Sequence, residues 1–128
     1  MTAADRASRL FRTTFDAEPS GVWSAPGRVN LIGEHTDYTG GFVMPLAIEQ
    51  RAYVAAAPRA DRLIRAVAEG RALEQVDLDD VGPLRPGGWL AYLSGSAWVA
   101  NSAGAEAQHG WDLALVSDVP VGAGLSSS

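Results

Sequence analysis

Residues 25 to 41 read Ala-Pro-Gly-Arg-Val-Asn-Leu-Ile-Gly-Glu-His-Thr-Asp-Tyr-Thr-Gly-Gly and place Glu34, His35 and Asp37 within four positions of one another. Carboxylates accept hydrogen bonds from hydroxyls, and a neutral imidazole donates one and accepts another. With Arg28 a few residues earlier, the set suits a polyhydroxylated molecule. A solvated polar surface loop is the plainer alternative. Metal ligation is the other: the spacing is not His-Glu-x-x-His, a single histidine stands nearby, and the chain has no cysteine. The apolar run Val29, Leu31 and Ile32 predicts a strand end that delivers the three polar residues into a loop. A turn is expected on each side, at Pro26-Gly27 and at Gly40-Gly41.

A second stretch, Pro120 to Ser128, reads Pro-Val-Gly-Ala-Gly-Leu-Ser-Ser-Ser. Glycines let backbone N–H groups approach an anion, and serines favour helix starts whose free N–H groups bind phosphate oxygens. A serine hydroxyl can also join a magnesium shell. A dinucleotide fingerprint needs a third glycine where Ser127 stands, so that pattern fails. Taken alone, this stretch is equally well a glycine-rich turn.

The elements that must hold these loops can be outlined from pattern. Residues 3 to 16, with Leu10, Phe11 and Phe15, predict an amphipathic helix closed by Pro19 and Gly21. Val22 to Ala25 is a short extended lead-in. Phe42 to Ile48 is apolar enough to be expected buried, as a strand or turn beneath the loop. Arg51 to Pro58 predicts a strand ended by proline. Arg62 to Ala68 and Ala72 to Leu78 continue it as an antiparallel meander. Val81 to Gly88 is a loop, Trp89 to Ala103 a helix stopped by Gly104, and Trp111 to Val116 a strand.

Composition bounds the partners. The 128 residues are 47% hydrophobic and 20% charged, sufficient for one domain with a core. A net charge of −5 argues against duplex nucleic acid or an anionic membrane surface. No apolar run is long enough to span a bilayer, and the first residues lack the features of a signal peptide. The absence of cysteine is compatible with a reducing cytoplasm, which is the expected location. All ten basic residues are arginine, so neither a Walker lysine nor the strand lysine of protein kinases is present.

Together the two stretches resemble a known pair. Arg28 to Tyr38 is similar to the signature of galactokinases, and Pro120 to Ser128 to the phosphate loop of their superfamily, which also holds homoserine, mevalonate and phosphomevalonate kinases (GHMP kinases). The resemblance implies an α/β (α+β) domain of the ribosomal protein S5 domain 2 type. It implies transfer of the ATP γ-phosphoryl group to the 1-hydroxyl of galactose, with Mg2+, in a protein monomeric at full length. It implies Glu34, His35 and Asp37 on sugar hydroxyls, and Arg28 facing the reacting phosphate and nucleophile. Gly122, Ala123, Gly124, Leu125, Ser126 and Ser127 would wrap the ATP phosphates, with Ser128 on magnesium. Trp89-x-x-Tyr92-x-x-Gly95 resembles the family segment whose tryptophan packs on the nucleotide base; a core tryptophan at a helix start is the alternative for Trp89. Trp23, Trp98, Trp111 and His109 are expected to be core or surface. Thr39 departs from the asparagine of many relatives. The catalytic aspartate, a magnesium-binding glutamate and the C-terminal domain of relatives are expected beyond Ser128, so residues 1–128 are read as an incomplete N-terminal GHMP domain that is inactive alone. A kinase for N-acetylgalactosamine or arabinose, or a catalytically silent galactose and ATP sensor, are the competing functions.

Overall fold

The computed structural model describes residues 1–104 and 108–122, with only the backbone of Asp37. Helix α1 spans Ala3–Phe15. Its start is set by a capping box in which the Asp5 N–H donates to Thr2 Oγ1 (3.1 Å) and the Thr2 N–H to Asp5 Oδ2 (2.8 Å). The Thr2 bonds hold the Asp5 carboxyl below its ordinary range. The helix ends where Asp16 turns left-handed at φ 51°. Ala3, Ala7 and Phe11 recur every four residues and are buried on one face.

Among the described residues, five strands form one sheet: β1 (Gly21–Ile32), β2 (Met44–Pro58), β3 (Leu63–Ala68), β4 (Glu74–Asp77) and β5 (Trp111–Ser117), in the order β1-β2-β5-β3-β4. All pairings are antiparallel except β3 with β5. A second helix, α2 (Leu90–Ser102), returns the chain from β4 to the middle of the sheet. Successive side chains on a strand point to opposite faces, which gives the sheet two cores. Ala55, Val67, Ala114 and Val116 pack under Ala3, Ala7 and Phe11 of α1. Ile64, Ala66 and Leu78, with Leu113 beside them, pack under Leu90, Leu93 and Ala97 of α2. The two helices therefore cover opposite faces.

Three expectations are corrected. The Pro26-Gly27 turn does not form: β1 runs through it, and the register skips between Pro26 and Arg28. Because β1 is an edge strand, the missing N–H of Pro26 costs no ladder bond, and the extra residues of the bulge lie in β2, where Ile48, Glu49 and Gln50 stand opposite Gly27. The meander forms only in its second half: β3 pairs antiparallel with β4 as expected, but β2 does not pair with β3. β5 inserts between β2 and β3, and the helical crossover through α2 allows β3 and β5 to run parallel. Finally, the segment Phe42 to Ile48 is not beneath anything. Phe42 is fully exposed, and Val43, Met44 and Leu46 are exposed as well, because the β1–β2 ribbon projects past the end of β5. The expected strand over 51–58 is the second half of the fifteen-residue β2. The helices, the 81–88 loop and the strand at Trp111 lie where the sequence pattern places them.

Candidate functional site

At the tip of the β1–β2 ribbon, residues 33 to 43 fold into a tight loop. Gly33 leaves β1 at φ 97°, a conformation reserved largely for glycine. A Cβ there would stand 2.5 Å from the Phe42 carbonyl oxygen and 2.7 Å from Val43 Cα, so the two sides of the loop touch at this residue. His35 is also left-handed, at φ 66°. Asp37–Thr39 forms one 3-10 turn, and Gly40 reverses the chain at φ 78°. Glu34 and His35 are exposed on this loop, and the His35 ring meets the Tyr38 ring edge-on at 6.1 Å between centroids. The side chain of Asp37 lies outside the described residues; its backbone begins the 3-10 turn. The loop thus gathers the backbones of Glu34, His35 and Asp37 around a single reversal.

Arg28 is exposed on β1, opposite Ala47 of β2 and directly after the bulge. At ~3.3 Å per residue, it stands ~13 Å below Ile32 along the strand. Register relates this position to the second stretch. β5 runs parallel to β1, because each pairs antiparallel with β2. Ser117, at the end of β5, is level with Ala52, which faces Ala25. The Asp118 N–H donates to the Arg51 carbonyl (3.0 Å), one step further along. The chain leading to the glycine-serine motif therefore leaves the same end of the sheet as the loop at 33–43. Arg28 occupies the level between them. Gly122 turns at φ 74°. Ala123, Gly124, Leu125, Ser126, Ser127 and Ser128 lie outside the described residues.

Trp89 stands at the start of α2, on the side of the sheet that β3 and β4 form. It caps α2, packs against Ile64 and its neighbours, and its indole N–H donates to Glu74 Oε1 at 2.6 Å. Across from α2, the loop of Pro83, Leu84 and Pro86 forms an open groove with Tyr92, Trp98 and Val99, of about 820 Å³. Trp23, Trp98 and Trp111 are part-exposed surface residues, and His109 is exposed. Among the described residues, no group of three or more His, Asp or Glu is placed to hold a metal ion.

Two residues of the first stretch escaped the sequence reading. Thr36 is the centre of the loop's hydrogen bonds, and the spacing Gly33-x-x-Thr36, suited to a hydroxyl reaching back to a carbonyl, was the available signal. Asn30 has a buried Oδ1 with no hydrogen-bond partner among the described residues, which no pattern announces.

A lobe in which β1 and β2 hold a polar loop at the end of a five-stranded mixed sheet is that of the GHMP kinase N-terminal region. The mevalonate kinase of Methanococcus jannaschii shares this fold, with a TM-score of 0.65 at 18% identity over 82% of this chain and 34% of that one. Over the stretch it spans, the chain is similar to galactokinases. Residues 9–58 match the galactokinase galactose-binding signature. The chain is 50% identical over 121 residues to the galactokinase of Streptomyces coelicolor, covering 92% of this chain and 31% of the relative. It is 44% identical over 119 residues to that of Chloroflexus aggregans, covering 92% and 30%. The structure of Lactococcus lactis galactokinase complexed with galactose superposes with a TM-score of 0.85 at 32% identity, over 99% of this chain and 34% of that one. The chain spans about a third of the length of the relatives it matches.

Proposed function

We propose that the protein of which these residues form the N-terminal GHMP domain is an ATP-dependent galactose kinase, producing galactose 1-phosphate in galactose catabolism, as a cytoplasmic monomer. Glu34, His35 and Asp37 hold sugar hydroxyls. The sugar 1-hydroxyl oxygen bonds to the γ-phosphorus while the bond from that phosphorus to the β–γ bridging oxygen breaks, releasing ADP. The hydroxyl proton passes to a base beyond Ser128, the aspartate implied by the family resemblance. Arg28 faces the transferring group, where a fixed cation stabilises charge on the phosphoryl oxygens. Gly122 to Ser127 wrap the phosphates and Trp89 meets the base. Magnesium, held by Ser128 and groups beyond it, would neutralise phosphate charge.

The observation that carries this reading is the shared exit. The loop inside the stretch matching the galactose-binding signature and the chain leading to the glycine-serine motif leave one end of the sheet, with Arg28 at the intermediate level. The test is ADP release by the full-length protein with galactose, glucose and N-acetylgalactosamine. Turnover of galactose and not of glucose is expected; no turnover of any galacto-configured sugar refutes the proposal. Turnover confined to N-acetylgalactosamine would shift the substrate and keep the chemistry. Residues 1–128 alone are expected to show no turnover in the same assay, since they lack the proposed base and the second wall that excludes water.

A further inference from the structure

We propose that Thr36 is a positioning residue for the sugar, tying the two sides of the loop so that Glu34, His35 and Asp37 are presented from one fixed turn; this rests on the galactose reading above. The Thr36 hydroxyl donates to the Gly33 carbonyl at 2.7 Å and lies 3.0 Å from the Phe42 carbonyl, the two ends of the loop. Its own carbonyl accepts from the Gly41 N–H (2.7 Å), the Thr39 N–H (3.2 Å) and the Thr39 hydroxyl (3.0 Å). No other residue of the loop gathers as many of these bonds among the described residues. Gly41 is shaped to receive it: a Cβ there would stand 2.7 Å from Thr36 Cβ.

Packing does not do this work. Phe42 and Tyr38 are exposed, and so are Leu31 and Ile32 beneath them. A loop without a packed underside keeps its shape through its own hydrogen bonds. Meanwhile His35, immediately before Thr36, sits left-handed, a conformation that persists in a non-glycine residue only when its surroundings hold it. One hydroxyl proton faces two carbonyls, so removing it frees both ends of the loop and leaves the sugar to order them on binding.

The test compares full-length Thr36→Val, which keeps the shape and loses the hydroxyl, with Thr36→Ser, which keeps the hydroxyl. Calorimetric Kd values for galactose and for ATP are measured for each, with Tm in the absence of ligand. Thr36→Val is expected to weaken galactose about tenfold and leave ATP within about twofold, and Thr36→Ser to return galactose to within about twofold of wild type. Should the valine protein fail to fold, Thr36→Ala is read by the same criteria. Unchanged galactose affinity in the hydroxyl-less protein overturns the proposal. So does a parallel loss of galactose and ATP affinity with a lowered Tm that serine does not restore. Wild type that binds ATP but no galacto-configured sugar overturns the galactose reading itself, and Thr36 with it.

Discussion

At Gly33 and Gly110 a single added methyl group would meet backbone atoms of another segment. At Gly33 an alanine would meet both the left-handed backbone and the Phe42 carbonyl. Gly33→Ala is expected to lower the unfolding free energy by about 2–3 kcal/mol and to weaken sugar binding, measured by urea titration and calorimetry. Gly110 has no positive φ; there the obstacle is space, since an added Cβ would fall on the Leu63 backbone. The approach is that close because the Gly110 N–H donates to the Asp61 carbonyl (2.7 Å) and the Gly110 carbonyl accepts from the Arg59 N–H (3.0 Å). Nothing in the local sequence marks Gly110, because its constraint comes from a chain segment nearly fifty residues away. Gly33 lies where the apolar run was expected to end and the polar loop to begin, but the turns were expected at Pro26-Gly27 and Gly40-Gly41, and the strand it closes was not expected to pass through Pro26.

Between elements, the start of β5 is fastened by an ion network. Asp112 of β5 faces Arg65 of β3 in the parallel register, bonds its Nε at 2.6 Å, and also accepts from Arg59 Nη1 at 3.0 Å. Its side chain is only 14% exposed, and Arg65 continues over the Phe15 ring at 5.0 Å. Asp112→Asn would leave two part-buried guanidinium groups short of a counter-charge, for an expected loss of about 1–3 kcal/mol in urea titrations. Arg59 also grips Asp61 at the turn into β3, with Nε to Oδ1 at 2.7 Å. That bond, chiefly, holds the Asp61 carboxyl at about 2, below its usual value of 3.8. A depressed carboxyl contributes stability that is complete above the unfolded value and is lost as pH falls through the folded one. The Tm difference between wild type and Asp61→Asn should therefore be constant above about pH 5 and close as pH is lowered toward 2. An unchanging difference over that window would refute the assignment. The helices were legible from their own periodicity, as was β5 from its apolar run. The partner of β5 was not: a strand's pattern states which face is buried, and says nothing about whether a neighbour is its predecessor in the chain or one reached by a crossover.

At the scale of the whole molecule, the projecting ribbon carries Leu31, Ile32, Phe42, Met44 and Leu46 in the open, and α2 adds Tyr92, Trp98 and Val99. An apolar surface of this extent is expected to make residues 1–128 self-associate when isolated, with sedimentation velocity showing concentration-dependent mass. Phe42→Ser should reduce that association without lowering Tm, since Phe42 packs against nothing among the described residues. A strictly monomeric chain at high concentration would contradict this. The apolar character of residues 42–48 was plain in the sequence. Their exposure was not, because burial depends on what lies across from a segment rather than on the segment itself. The central position of β5 also fixes an order of events at the ribosome. As synthesis proceeds, the hairpin of β1 with β2 and the hairpin of β3 with β4 emerge as two unconnected ribbons, each with an unsatisfied edge toward the other. Only the strand begun at Trp111 can bridge them, so a nascent chain halted anywhere before it holds two sticky half-sheets and no common core.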